Sequence, residues 1–145
     1  MNQYIDKLNN MKIINIGRFM DMLCIGFGND IMEYTLHIQS PWRITDKENR
    51  TIVAAQLEVF TGLTEDKKLT VFDVNLNKLK EKIRNRKVTL CSMNDYGDLK
   101  IDLENKYVLK VFGDSSEVKE YWRLLECQSD EKQYVVYGQL GGIIE

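Results

Sequence analysis

One proline, Pro41, and one histidine, His37, stand in 145 residues, and the three cysteines Cys24, Cys91 and Cys127 form no CxxC pair. Each scarcity removes a class of chemistry. A lone histidine limits acid–base catalysis near neutral pH, where no other side chain titrates unperturbed. Three scattered cysteines make no disulfide framework, and their odd number cannot all pair internally. Together with His37 they match a Cys₃His zinc set in number only. Such sites draw ligands in closely spaced pairs, whereas positions 24, 37, 91 and 127 are far apart. No metal and no cofactor is expected.

Long apolar runs are missing too. None approaches the ~18 residues of a membrane helix, and Asp6 and Lys7 fall where a signal peptide needs an unbroken apolar core. The expectation is a cytoplasmic protein with reduced thiols and no membrane partner; the acceptor pattern Asn49-Arg50-Thr51 is then an accident. Charge is nearly balanced, 20 basic against 22 acidic residues for a net −2, so wholesale nucleic-acid binding is not expected. What is present, 43% hydrophobic and 29% charged residues, is ordinary for a globular chain. At this length a core forms without staples, and no repeat or linker divides residues 1–145, so one domain is expected.

Periodicity then places the elements. Tyr4, Ile5, Leu8 and Met11 suit a short amphipathic helix over 2–11. Residues 19–39 read as a β-hairpin around the turn chemistry of Gly26–Asp30, with Met32, Tyr34, Leu36 and Ile38 on one face and Glu33, Thr35, His37 and Gln39 on the other. Pro41 ends that strand because it cannot donate to a ladder. Residues 45–51 and 64–70 are loops, and Ile52–Phe60 fits strand or helix. Phe72, Leu76, Leu79 and Ile83 form one helical stripe, predicting the principal helix near residues 73–86 with Asp73 or Asn75 as its cap.

Strands follow at 87–93, 99–103 and 107–112, with turns at 94–97 and around Asn105. Residues 114–127 fit a turn of helix opened by Asp114 and Glu117, then a strand from near Tyr121, and 134–137 is strongly β. The fold class is α+β: mainly antiparallel sheet built from β-hairpins, with one principal helix.

No catalytic set emerges. Gly26-Phe27-Gly28 lacks the third glycine of a dinucleotide fingerprint, since Ile31 stands there. Ser116–Lys119 matches SxxK without its companion SDN and KTG elements. A Cys–His nucleophile needs contact that spacing alone does not show, and 22 acidic residues single out no pair.

Two features point to a binding surface. Residues 78–87 hold Lys78, Lys80, Lys82, Arg84, Arg86 and Lys87 with only Glu81 to offset them, a local +5 against −7 for the rest. A helix C-terminus favours such charge through its dipole, and an acidic partner would favour it too. Trp42-Arg43 and Trp122-Arg123 have hot-spot composition, although tryptophans in a small domain also anchor cores. The candidate partner-binding residues are therefore Trp42, Arg43, Lys80, Lys82, Arg84 and Trp122.

Three stretches resemble small bacterial proteins, some of them similar to immunity proteins of contact-dependent or polymorphic toxin systems. They are Leu36-His37-Ile38-Gln39-Ser40-Pro41-Trp42-Arg43-Ile44, Leu109–Ser116 leading to Glu120-Tyr121-Trp122-Arg123, and Tyr134–Gly138 with Gly141-Gly142-Ile143. The resemblance implies a compact, non-enzymatic bacterial cytoplasmic protein that binds a partner, toxin-like in the immunity case, and no catalytic residue. Small enzymes and small-ligand-binding domains are the alternatives, and exposed edge strands leave a homodimer open.

Overall fold

The computed structural model describes residues 4–20, 22–54, 70–113, 120–127, 133–137 and 142–144. They form two antiparallel sheets and one α-helix. The strands are β1 (Lys12–Phe19), β2 (Met22–Gly28), β3 (Tyr34–Ile38), β4 (Trp42–Thr45), β5 (Thr51–Ala54), β6 (Val88–Met93), β7 (Leu99–Leu103), β8 (Val108–Val111), β9 (Glu120–Glu126), β10 (Gln133–Tyr137) and β11 (Gly142–Ile144); the helix is α1 (Val71–Ile83). One sheet runs β1-β2-β3-β9-β10-β11 and the other β5-β4-β8-β7-β6.

Two corners join the sheets. At the first, Gln39, Ser40 and Pro41 carry the chain from β3 into β4. The Gln39 amide donates to the Tyr121 carbonyl and the Phe112 amide to the Pro41 carbonyl, each at 2.8 Å. Pairing with β8 and β9 thus continues around the bend, as where a strand passes from one sheet into another. Pro41 ends β3 as expected, but β4 follows it at once. At the second corner the start of β1 pairs with the residues leading into β6. Lys12 faces Lys87, with Val88 donating to Met11 at 2.7 Å and Ile13 to Arg86 at 2.9 Å.

Inward residues of both sheets make one core with α1. Phe72, Leu76, Leu79 and Ile83 line the helix's buried face. Thr70, rather than Asp73 or Asn75, is the N-cap. Its hydroxyl accepts from the Asp73 amide, and Asp73 at the third position returns the capping box. The helix stops at Ile83, three residues before the expected end.

Other boundaries also shift. Residues 5–8 form a single 3-10 turn with Ile5 and Leu8 buried, too short for the expected amphipathic helix. Gly26 and Gly28 lie inside β2, not in the turn, and the reversal uses 29–33. A Cβ on Gly28 would collide with the Ile31 carbonyl, so the tight return of the chain requires glycine there. Met32 lies outside β3 and is 42% exposed. Residues 120–126 are strand, as favoured. The loop expected at 64–70, apart from Thr70, and the capping pair Asp114 and Glu117 lie outside the described residues.

Candidate functional site

Alternation and register decide what reaches the surface of the five-stranded sheet. Met93, Leu99, Val111 and Trp42 lie opposite one another in one row, and Cys91, Ile101, Leu109, Ile44 and Val53 in another. All except the half-buried Met93 are buried. Because successive side chains change face, the row between these two must point outward. It consists of Ser92, Lys100, Lys110, Arg43 and Ala54.

Three cations therefore stand side by side on three neighbouring strands. Arg43 on β4 faces Lys110 on β8, which faces Lys100 on β7; all three are exposed. The outer two have internal company. The Arg43 guanidinium lies 5.1 Å from the Phe112 ring centroid, and Lys100 Nζ is 3.7 Å from Asp102 Oδ1. Lys110, in the centre, has no ion-pair partner among the described residues. Like charges directly opposite in a sheet are destabilising, so the row carries a cost that an anion laid over it would relieve.

A surface depression of about 250 Å³ borders the row, lined by Ser92, Asn94, Asp98, Lys100, Lys110 and Phe112. Its acid is already engaged. Asp98 Oδ1 accepts from the Gly113 amide at 2.8 Å and Oδ2 from Asn94 Nδ2 at 3.0 Å. The flanking outward row holds Leu90, Asp102, Val108 and Thr45, with Leu90 51% exposed.

The other sequence candidates fall elsewhere. Trp42 is 4% exposed and Trp122 0%, so neither indole is available to a partner, and both expectations are corrected to core positions. Trp42 packs edge-on against Phe72, centroids 5.9 Å apart. Trp122 Nε1 donates to the Gly97 carbonyl at 2.9 Å, tying β9 to the β6–β7 turn. Burial with a satisfied N–H is the usual way a small fold uses tryptophan.

Lys82 and Arg84 are exposed and Lys80 is half-buried. They lie at the end of a helix whose Phe72 touches the inward-facing Trp42, so they belong to the core-side layer and do not share a surface with Arg43. The Arg86 guanidinium donates to the Lys82 carbonyl at 3.2 Å, and the Arg84 amide closes the helix on Lys80. That arrangement matches C-terminal capping with dipole compensation. Lys100 and Lys110 are the residues that strand-by-strand reading missed. Their outward alternation was visible, but not the register that aligns them.

A second polar row crosses the outer face of the six-stranded sheet, where Cys24, His37 and Arg123 are opposite one another. Glu120 accepts from Arg123 Nε at 2.6 Å and also bonds Gln39 Nε2. Burial and then the Arg123 charge hold the His37 imidazole below its ordinary pKa, with Glu120 acting in the opposite sense. Burial pushes the Cys24 thiol up against a smaller effect of the Phe19 backbone. A thiolate nucleophile needs the reverse, a lowered thiol beside a ready base. Cys91 is buried, with its thiol pushed up to about 12, chiefly by desolvation.

Among the described residues no group of three or more His, Cys, Asp or Glu side chains could hold a metal ion, and no helix is long and apolar enough to cross a membrane. The chain matches no protein-family model, no curated protein and no solved structure.

Proposed function

We propose that this chain is a non-catalytic protein-interaction domain that holds an acidic protein partner on the outer face of its five-stranded sheet. One observation carries the reading: Arg43, Lys110 and Lys100 are aligned across three strands, and Lys110 at the centre has no ion-pair partner among the described residues. Complementary charge steers encounter and fixes orientation, and the arginine beside a half-buried phenylalanine supplies hot-spot chemistry. A second copy is a poor occupant of this face, because a two-fold contact would set the cationic row against itself. The resemblance to bacterial immunity proteins supports the same mode, in which a small cytoplasmic protein covers the working surface of a toxin.

The test is affinity capture from the native cell extract, using the wild type and an Arg43→Glu/Lys110→Glu variant as baits. A protein retained by the wild type at low salt, lost from the variant and released as salt rises supports the reading. Equal retention by both baits, or none by either, removes it.

A further inference from the structure

The spacing of the row says more about the partner. We propose that the row receives one face of an acidic α-helix lying across the strands, with carboxylates at positions i, i+4 and i+7. This rests on the acidic-partner reading above and adds the partner's secondary structure.

The physical argument is a match of lengths. Neighbouring strands are about 4.8 Å apart, so three cations on three adjacent strands span about 9.6 Å. A helix rises 1.5 Å per residue, so acids at i, i+4 and i+7 step about 6 and 10.5 Å along one face. An extended strand presents same-face side chains every ~6.7 Å, and three of them span about 13.4 Å. The cationic row fits the helix and not the strand. Surface chemistry around the row agrees. Phe112 and the depression beside Lys100 and Lys110 lie on one flank, and Leu90 and Val108 face outward on the other. Apolar residues flanking the acids on such a helix would cover these patches.

The experiment is a backbone-amide NMR titration of the full chain at low ionic strength with two Ala-rich 20-residue peptides. Both carry three glutamates and the same composition. One has them at i, i+4 and i+7, and the other at i, i+2 and i+5, spread around the helix. The expected result is shifts centred on residues 43, 100 and 110, with the one-face peptide binding about fivefold more tightly, a difference of roughly 1 kcal/mol. The Lys110→Gln variant should abolish that preference while keeping the wild-type spectrum elsewhere. Equal binding of the two peptides overturns the helix inference and leaves an acidic partner standing. No shift at the row with either peptide overturns both. Tighter binding of a single-stranded oligonucleotide at the same row also overturns both, in favour of nucleic acid.

Discussion

Asp73 links helix capping to the closure of the fold, and removing it should cost more than a surface carboxylate usually does. Its Oδ1 accepts from Arg18 Nε at 2.7 Å and its Oδ2 from Arg18 Nη2 at 3.0 Å. The same Oδ2 accepts from the Thr70 hydroxyl at 2.9 Å. Arg18 sits at the end of β1, so the pair fastens the β1–β2 hairpin to the start of α1. The Arg18 hydrogen bonds hold the Asp73 carboxyl down to about 2, with Thr70 adding to them against the opposing effect of burial. That depression corresponds to about 2 kcal/mol at 1.36 kcal/mol per unit. Side-chain exposures of 28% for Arg18 and 19% for Asp73 call for a solvent discount, to ~1 kcal/mol. The bonds to Thr70 are part of that depression, and the Thr70 hydroxyl still accepts from the backbone amide of position 73 after truncation.

Asp73→Ala should therefore lose about 1 kcal/mol at pH 7, a fall in Tm of roughly 3 °C for a chain of this length. The pH dependence has a fixed sign. The folded pKa lies below the unfolded one, so the ionised carboxylate stabilises the fold above about pH 4 and its contribution disappears between about pH 4 and 2. Urea titrations of both proteins at pH 7, 5, 4 and 3 should show the gap narrowing over the last two steps. A gap that stays constant down to pH 3, or one under ~0.5 kcal/mol at pH 7, would refute the assignment of a single charged clasp.

Three further outcomes follow from local geometry. A Cβ on Gly113 would run into the Tyr121 ring, so Gly113→Ala should destabilise by ~1–3 kcal/mol in urea denaturation; an unchanged midpoint would mean that Tyr121 swings aside freely. Ser40 is 1% exposed and its hydroxyl has no hydrogen-bond partner among the described residues, so Ser40→Ala should leave stability unchanged or raise it by up to ~1 kcal/mol, and a loss would show that the hydroxyl is bonded. Cys127 is exposed and Cys91 buried. At pH 8 a thiol reagent should label Cys127 in the native state and reach Cys91 only on unfolding; fast native labelling of Cys91 would contradict its placement.

The β6–β7–β8 meander was legible because Leu99, Ile101 and Leu103 alternate strictly with polar residues and Asn105 is suited to the positive φ of 63° it adopts. The helix was legible from its apolar stripe. Thr70 was missed as the cap because Asp73 and Asn75 have the same capping chemistry, and only the path of the chain decides among them. Strand β1 was obscured because Ile13–Phe19 mixes apolar residues with Asn15, Gly17 and Arg18, and its pairing at a corner between sheets is a tertiary fact. The helical turn read at Asp114 and Glu117 competed with alternation from Tyr121 onward, and cross-strand pairing with β3 fixes residues 120–126 as strand. For the site, Arg43 was visible through its composition next to Trp42. Lys100 and Lys110 were not, because opposition across strands depends on register, which turn geometry sets and a single strand does not encode.

The cationic row can be tested for its central property without any partner in hand. If Lys110 is there to meet an anion and not to hold the sheet together, Lys110→Gln should raise stability. Urea denaturation at low ionic strength should show a gain of ~0.5 kcal/mol, shrinking as added salt screens the repulsion from Arg43 and Lys100. A less stable variant, or a gain indifferent to salt, would contradict the account.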